Sequence, residues 1–167
     1  MPFYGQDQCT VDANGRVKLS PRLLMDFGRD GDAVVLHCLP EGAIGVYPTS
    51  VWDEIRASET EPASGAASSV IVRRRNRRYG ALSQMDTISK QGRITVPSPF
   101  RSLTGLNPGS EAVLVGVEVG VEIWNAERWN EEFQVLLQHE QERANREMRA
   151  DLNRIDDTDA TPKEEPS

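Results

Sequence analysis

The chain has 167 residues, 38% of them hydrophobic, and a formal net charge of −7. This length has room for one ordinary domain or two small ones with a core of modest size. An acidic chain argues against nucleic acid as a partner, but the charge is unevenly spread. Residues 1–138 carry 14 Lys and Arg against 17 Asp and Glu, whereas residues 139–167 carry 5 against 9, so much of the acidity lies at the C-terminal end.

Several classes of protein are disfavoured by the residues that the sequence lacks. Only Cys9 and Cys38 are present, in neither a C-x-x-C nor a Cys/His ligand spacing, so we predict no disulfide framework, no metal site and no cofactor. Paired carboxylates, a nucleophile elbow and a phosphate-cradling glycine loop are all missing at useful spacings, so we predict no catalytic residues and no enzyme. There is no apolar signal segment and no run of ~20 apolar residues, so we expect a cytoplasmic protein.

The first part of the chain predicts alternating short strands and helices. Asn14-Gly15 is a strong hairpin signal, because both residues tolerate a positive φ, and it places Arg16 where a turn enters a strand. Thr49 and Ser50 can cap a later helix that contains Trp52. The predicted elements are a half-exposed strand over residues 3–11, a strand over 17–19, a short helix over 21–27, an apolar strand pair over 33–39 and 43–47, and a helix from residue 51.

A change of composition in the middle of the chain predicts a linker over residues 57–78. Small and polar residues predominate up to Ser69, which is typical of a flexible boundary. A strongly basic stretch follows, with the arginines Arg73, Arg74, Arg75, Arg77 and Arg78. Clustered arginines can neutralise the phosphates of a nucleic acid. They can equally form the solvated face of a linking helix that pairs with acidic residues, so both interpretations stay open.

The second half of the chain repeats the first at an offset of 77 residues. Gln91-Gly92 precedes Arg93 and a strand that ends at Pro97, as Asn14-Gly15 precedes Arg16. Such self-similarity predicts a repeat architecture. Further pairs at the same offset are Ile44 with Val121, Tyr47 with Trp124 and Trp52 with Trp129. The predicted elements are two strands within residues 85–96, a short helix over 99–103, apolar strands over 112–117 and 119–124, and a long helix from residue 125 to about 153.

Two repeats of about 55 to 60 residues would each be marginal alone, so we expect them to pack as one α+β unit with pseudo-twofold symmetry. Trp52 and Trp129 should both be largely buried against the apolar strand pairs of that unit. The thin apolar stripe of the long helix predicts a homo-oligomer, because one small domain cannot cover it. The predicted divisions are repeat 1 over 3–56, the linker over 57–78, repeat 2 over 79–137, a helical extension over 138–155 and a disordered acidic tail over 156–167.

The two turn motifs resemble those of the MraZ family of double SpoVT-AbrB domain transcriptional regulators. They read DANGRVKLSP at residues 12–21 and SKQGRITVP at residues 89–97, and the resemblance covers roughly residues 3–137. It implies AbrB-like β-hairpin repeats, assembly into a ring, and binding at the nucleoid to short direct repeats in double-stranded DNA. The DNA implied lies upstream of the cell-division and cell-wall gene cluster, including the protein's own gene. The family pattern is D-x-K-G-R, from which this chain departs at Asn14, Ser89 and Gln91.

The candidate DNA-binding residues centre on Arg16 and Arg93. A planar guanidinium can bind a phosphate or the O6/N7 edge of guanine through two hydrogen bonds, and the resemblance implies that these arginines contact DNA. Gly15 and Gly92 match the turn glycines of the family, and Asp12 matches its acidic position. The full predicted set is Asp12, Asn14, Gly15, Arg16, Lys90, Gln91, Gly92 and Arg93 in the turns, with Arg73, Arg74 and Arg75 of the basic stretch.

Three alternatives stay open on the sequence alone, one of which is an assembled ring that no longer has a DNA target. Arg16 and Arg93 could form structural ion pairs that tie each turn to a carboxylate, with Asp12 as the available partner of Arg16. The chain could also be an antitoxin-like or other protein-interaction module of the AbrB superfamily that does not depend on DNA and whose acidic tail folds on a partner. DNA binding should weaken steeply with salt, whereas a hydrophobic protein interface should not, so salt dependence separates these functions.

Overall fold

The computed structural model describes residues 2–28, 32–59 and 69–159. The strands are β1 (Gln6–Thr10), β2 (Arg16–Lys18), β3 (Ala33–Cys38), β4 (Ile44–Pro48), β5 (Ser83–Thr87), β6 (Arg93–Thr95), β7 (Glu111–Gly116) and β8 (Val121–Asn125). The helices are α1 (Pro21–Phe27), α2 (Thr49–Glu59), α3 (Val70–Ala81), α4 (Ser98–Thr104) and α5 (Ala126–Asp159). Residues 60–68 of the predicted linker and 160–167 of the predicted tail lie outside the described residues.

The short helices α1 and α4 begin and end at residues suited to those positions. Pro21 opens α1 behind Ser20, whose side chain accepts a hydrogen bond from the Leu23 amide. Helix α4 ends at Gly105, which takes a left-handed conformation with φ of 67° and donates its amide to the Arg101 carbonyl. Each helix buries its apolar side, with Phe27 in α1 and Phe100 in α4 reaching the core.

Six strands form one antiparallel sheet in the order β1-β7-β8-β4-β3-β5. The order is symmetric about its centre, where β4 and β8 pair with Ile44 opposite Ile123 and Val46 opposite Val121. The first strand of each repeat is exchanged: β1 pairs with β7 of the second repeat, and β5 pairs with β3 of the first. Neither repeat can therefore complete its sheet alone, which accounts for the packing of two marginal repeats into one unit.

The remaining strands, β2 and β6, pair with each other in a separate antiparallel ribbon. The core lies between this ribbon, the short helices and one face of the large sheet. Val17 and Ile94 of the ribbon have no exposed surface, and neither do Leu36 and Ile123 of the sheet. The α+β class with two tandem hairpin repeats is thus confirmed.

The pairing of the first two strands of each repeat differs from the prediction. The Asn14-Gly15 turn forms, but β2 leaves it to pair with β6 rather than with β1. Both strands that flank the turn pair with the other repeat: β2 pairs with its own counterpart β6, and β1 pairs with β7, the counterpart of β3. Tyr79 and Gly80, predicted to open the second repeat, lie in α3.

Helices also occupy more of the central segment than predicted. Residues 57–59 continue α2, and residues 70–78 lie in α3, whose first turn is capped by the Ser69 side chain accepting from the Val72 amide. The arginine-rich stretch is therefore helical, a conformation that both interpretations of it allow. The proposed domain boundaries themselves stay a prediction.

The two tryptophans differ in burial. Trp129 is 7% exposed and packs on Trp124, with its indole N–H donated to the Gln6 side chain at 2.9 Å. Trp52 is intermediate in exposure and packs on the rings of His37, Tyr47 and Tyr79, so it is less completely buried than Trp129. One side of its ring packs on His37 and Tyr47, while the other borders an open groove of about 330 Å³ lined by Val35, Thr49, Asp53, Ser83, Gln84 and Met85.

Contacts divide the chain into two units, Met1–Trp129 and Asn130–Ser167, and the second contains most of α5. This helix runs to Asp159, past the predicted end at about residue 153, so residues 156–159 of the predicted tail are helical. The last turns of the helix contain an ion pair between Arg154 and Asp151, and the Thr158 hydroxyl donates hydrogen bonds to the Arg154 and Ile155 carbonyls at 3.0 and 2.8 Å. Within the described residues, none of the helices has the length and apolar character required to cross a membrane.

Candidate nucleic-acid interface

The β2/β6 ribbon brings the two predicted arginines together from both repeats. Arg16 is paired with Thr95, Val17 with Ile94, and Lys18 with Arg93. Successive side chains of a strand point to opposite faces, and Val17 and Ile94 are fully buried. Arg16, Lys18, Arg93 and Thr95 therefore share the outer face of the ribbon, where Lys18 and Thr95 are exposed and both arginines are half-exposed.

The turn that precedes Arg16 is organised by Asp12. Its carboxylate Oδ1 accepts the amides of Asn14 and Arg16, each at 2.9 Å, and its carbonyl accepts the Gly15 amide at 2.9 Å. Gly15 has φ of 77°, a conformation that other residues adopt only with strain. The second carboxylate oxygen lies 3.7 Å from Arg16 Nε. Asp12 thus fixes the backbone of Arg16 through hydrogen bonds and attracts its side chain by charge, while Nε itself has no hydrogen-bond partner in the part of the chain that the structure describes.

The pKa of Asp12 reports the same arrangement. It is lowered from its ordinary value of 3.8, chiefly because the carboxylate accepts the Arg16 amide, and further by the Asn14 amide and the charge of Arg16. The charge of Arg93 acts in the same direction, since the ribbon places the two turns near each other. Asp12 is therefore a carboxylate at neutral pH.

Ser89 replaces Asp12 in the second turn and keeps only part of its role. Its hydroxyl oxygen accepts the Arg93 amide at 3.0 Å, and its carbonyl accepts the Gly92 amide at 2.9 Å. Gly92 repeats the φ of 77° found in the first turn. The backbone of the turn is thus preserved, but the negative charge beside the arginine is lost. Lys90 and Gln91 are exposed at the tip of this turn, as Asn14 is in the first.

Two hydrogen bonds between repeats hold the turns in register. The Val96 amide donates to the Gly15 carbonyl at 2.8 Å, and the Leu19 amide donates to the Gly92 carbonyl at the same distance. These bonds are equivalent under the 77-residue offset. Each turn is therefore anchored to the strand of the other repeat, which makes the ribbon a single rigid unit.

The outer face of the ribbon is cationic although the chain is acidic. Residues 12–18 and 89–95 contain the cations Arg16, Lys18, Lys90 and Arg93 and the single carboxylate Asp12, a net charge of +3. Lys18 was missed at the level of the sequence, although it lies two residues beyond Arg16 and strand alternation alone would have put it on the same face. It stands directly opposite Arg93, a like-charge pair that favours a bound anion between the two.

The structure places Arg73, Arg74 and Arg75 on α3, an element separate from the ribbon that leads into the edge strand β5. Arg74 is exposed, whereas Arg73 and Arg75 are half-buried. Among the residues that the structure describes, Nε and Nη2 of Arg75 are shielded from solvent and have no hydrogen-bond partner. A role of these three arginines in DNA binding stays a prediction.

An aromatic cluster packs α3 against the sheet. The rings of His37 and Tyr79 are stacked at 5.1 Å, the Arg56 guanidinium covers Tyr79 at 3.8 Å, and His37 Nδ1 is hydrogen-bonded to the Ser83 hydroxyl at 2.8 Å. Burial, and after it the positive charge of Arg78, lowers the pKa of His37 from its ordinary value of 6.5. The cluster thus holds a neutral imidazole in the core at physiological pH.

The two cysteines are unpaired thiols. Burial raises the pKa of Cys9 and Cys38 to about 11, so both are protonated and poor nucleophiles at neutral pH. Across the described parts of the chain, no group of three or more His, Cys, Asp or Glu side chains is arranged to hold a metal ion.

A strand-exchanged double repeat with a cationic ribbon built from both halves defines a small α+β protein with a face suited to anions. A family profile described as "MraZ protein, putative antitoxin-like" matches residues 83–154. Relatives named "Transcriptional regulator MraZ" match most of the chain. That of Thermus thermophilus is 34% identical over 138 residues, 82% of this chain and 90% of the relative.

Two further relatives with the same name agree with this match. The Dehalococcoides mccartyi protein (strain 195) is 32% identical over 130 residues, 78% of this chain and 87% of the relative. The Lactobacillus delbrueckii subsp. bulgaricus protein (strain Lb-18) is 33% identical over 129 residues, 77% of this chain and 85% of the relative. The chain belongs to the MraZ family, which confirms the resemblance seen in its two turn motifs.

Proposed function

We propose that this chain is a sequence-specific transcriptional regulator that binds double-stranded DNA through the β2/β6 ribbon. The observation that carries the proposal is the pairing of β2 with β6, which puts Arg16, Lys18 and Arg93 on one exposed face above the buried Val17 and Ile94. The major groove of B-DNA admits a two-stranded β-ribbon. The name "Transcriptional regulator MraZ" carried by the relatives supports the same function.

The side chains on this face suit the two kinds of contact that a regulator needs. An arginine can bind the O6 and N7 atoms of guanine through two parallel hydrogen bonds, which discriminates among base pairs. A lysine on a phosphate acts as a point charge, and a phosphate contact carries no sequence information. Arg16, oriented by Asp12, is suited to read a base, whereas Lys18 and Lys90 are suited to phosphates.

We further propose that the DNA consists of short direct repeats upstream of the cell-division and cell-wall gene cluster, including the gene for this protein. Membership of the MraZ family supports this target, as it supports a cytoplasmic, nucleoid-associated ring of several chains. Several ribbons on one ring would engage several repeats at once, which raises the overall affinity without any new contact.

A protein-interaction function is a second candidate, favoured by the surface of α5. In the unit that starts at Asn130, this helix exposes the apolar residues Val135, Leu136, Leu137, Met148, Leu152 and Ile155. Helices in grooves are a common mode of protein recognition, and the description of the matching family profile includes the words "antitoxin-like". This candidate does not require the ribbon.

Fluorescence anisotropy with labelled duplex DNA tests the first proposal against the second. One duplex carries the sequence upstream of the protein's own gene, and a second carries the same bases in shuffled order. We expect tighter binding to the first duplex and an affinity that falls steeply between about 50 and 200 mM salt. Equal binding to both duplexes, or no binding at low salt, would refute the regulator proposal.

A further inference from the structure

Arg101 of the second repeat lies against the turn that carries Arg16 in the first. Its Nε donates a hydrogen bond to the Val96 carbonyl at 3.1 Å, and its Nη2 donates to the Asn14 carbonyl at 3.4 Å. One guanidinium therefore bridges the strand end of one repeat and the turn of the other. Arg101 was not among the residues that the sequence singled out.

Arg101 approaches the turn so closely that a side chain at position 15 would displace its guanidinium. A Cβ atom built on Gly15 would lie 2.0 Å from Arg101 Nη2 and 2.5 Å from Cζ. The guanidinium thus occupies the space that a side chain at this position would fill. Gly15 meets two demands at once, a φ of 77° and contact with a guanidinium.

The second turn is held by different chemistry at the equivalent position. Leu24 stands 77 residues before Arg101, and a Cβ atom on Gly92 would lie 2.5 Å from Leu24 Cδ1. An aliphatic side chain therefore packs on the Arg93 turn, and it cannot form a hydrogen bond to that turn. The two turns share one backbone conformation but have unlike supports.

We propose that Arg101 is a positioning residue for Arg16 and gives the two halves of the ribbon different roles. The inference rests on the proposed function of Arg16 in DNA binding. Arg101 fixes the Asn14 carbonyl, and the Asn14 and Arg16 amides are both bonded to the Asp12 carboxylate. Linked hydrogen bonds thus connect α4, through the Asn14-Gly15 turn, to the backbone of Arg16. The planar fork of Arg101 holds two carbonyl groups in a fixed geometry, whereas leucine has no donor and the three donors of lysine sit on a flexible stem without that geometry.

Arg101→Leu is the direct test, because it gives the first turn the same support as the second. Arg22→Leu is the matched control. Arg22 also lies against a glycine, Gly5, and bonds to Asp7 and to the Tyr4 carbonyl, but it is outside the ribbon. Both variants lose one positive charge and one guanidinium that lies against a glycine, and Arg22→Leu additionally breaks the ion pair with Asp7, which makes it the more severe of the two changes outside the ribbon.

The first measurement needs no DNA. Amide hydrogen exchange is compared at Gly15, Arg16 and Val96 of the first turn and at Gly92, Arg93 and Leu19 of the second. Loss of the bridge should speed exchange at the first three roughly 2- to 10-fold in Arg101→Leu and leave the other three unchanged. Arg22→Leu should change neither set. Equal changes at both turns, or none, would overturn the inference.

The second measurement is a double-mutant cycle with Arg16→Ala on DNA. If Arg101 acts through Arg16, Arg101→Leu weakens binding in the wild-type background and adds nothing once Arg16 is removed. Equal losses in both backgrounds, with a salt slope reduced by about one, would mean a direct phosphate contact and would refute a positioning role. Arg101→Lys should behave as Arg101→Leu, because lysine restores the charge but not the fork.

The outcomes for this inference and for the proposed function can be told apart. Absence of DNA binding by the wild-type protein would remove the proposed function, and the exchange rates would still decide whether Arg101 holds the turn. Should Arg101→Leu fail to fold, Arg101→Lys carries both measurements. Full recovery of binding and exchange by lysine would then show that charge alone matters and would refute the role of the fork.

Discussion

Replacing Arg16 and Arg93 one at a time separates the reading of bases from the binding of phosphates. The two residues are equivalent in the fold but not in their surroundings. Arg16 Nε lies 3.7 Å from the Asp12 carboxylate and Arg16 is paired across the ribbon with the neutral Thr95. Arg93 is paired with Lys18 and has Ser89 in place of a carboxylate. We therefore expect Arg16→Ala to reduce specificity and Arg93→Ala to reduce general affinity.

The expected sizes follow from the number of cations on the ribbon. Each neutralised phosphate contributes about −0.9 to the slope of log affinity against log salt, so four contacting cations would give a slope of about −3.6 per chain. If Arg16 contacts a base instead of a phosphate, three cations contact phosphates and the slope is about −2.7. Arg93→Ala leaves two such contacts and a slope of about −1.8. Loss of a base contact at Arg16 costs about 1 to 3 kcal/mol, a loss of roughly 5- to 150-fold on the specific duplex only.

Anisotropy titrations on specific and shuffled duplexes at several salt concentrations provide both quantities. The oligomeric state and melting temperature of each variant are measured alongside, because the turns depend on Gly15 and Gly92 and should survive loss of either arginine side chain. Early melting or dissociation of both variants, with DNA binding lost only through unfolding, would show that the arginines are structural. Identical effects of the two substitutions on slope and specificity would refute the division of roles.

Three further predictions address the fold and the assembly. Ile94→Ala should lower the free energy of unfolding by about 2 to 5 kcal/mol, because Ile94 is fully buried beneath the ribbon, while Thr95→Ala on its exposed face should stay within about 0.5 kcal/mol in chemical denaturation. Because the pKa of His37 is lowered in the folded protein, the unfolded chain takes up a proton at a higher pH than the folded chain does. The melting temperature should therefore decline as pH falls below about 6.5, and it should decline less in His37→Gln. Light scattering should report a homo-oligomer larger than a dimer. If the exposed apolar residues of α5 form the contact between chains, truncation after Gln138 should reduce the number of chains in the oligomer.

The sequence predicted the fold class well because duplication leaves a periodic signal. Gly15 and Gly92 are required by φ of 77° in both turns, and Ile44 and Val121 are buried at the centre of the sheet. Such positions are constrained by local geometry and burial, which a pattern of residue types can report. The 77-residue offset therefore located both turns and both central strands.

The exchange of strands between repeats could not be predicted in the same way. A turn such as Asn14-Gly15 favours pairing of its own flanking strands, and only tertiary contacts decide that β2 pairs with β6 instead. The same holds for Arg101, which contacts Asn14 from 87 positions away in the sequence. The length of α5 was underestimated for another reason, since its last turns contain local polar contacts such as the Arg154–Asp151 ion pair, which a search for an apolar stripe does not detect.

The positions at which the two repeats differ bear on the kind of DNA site that suits the ribbon. Residues that build the ribbon are alike at positions 77 residues apart. Both turns have glycine, and the buried inner face of the ribbon has Val17 in one strand and Ile94 in the other. Residues on its outer face or in support of it diverge, as the pairs Asp12 and Ser89, Lys18 and Thr95, and Leu24 and Arg101 show. The symmetry of an operator mirrors the symmetry of the protein face that contacts it. A ribbon with twofold backbone and unequal side chains does not call for a palindrome, so we propose that each chain binds one non-palindromic element, which agrees with the direct repeats of the proposed DNA target.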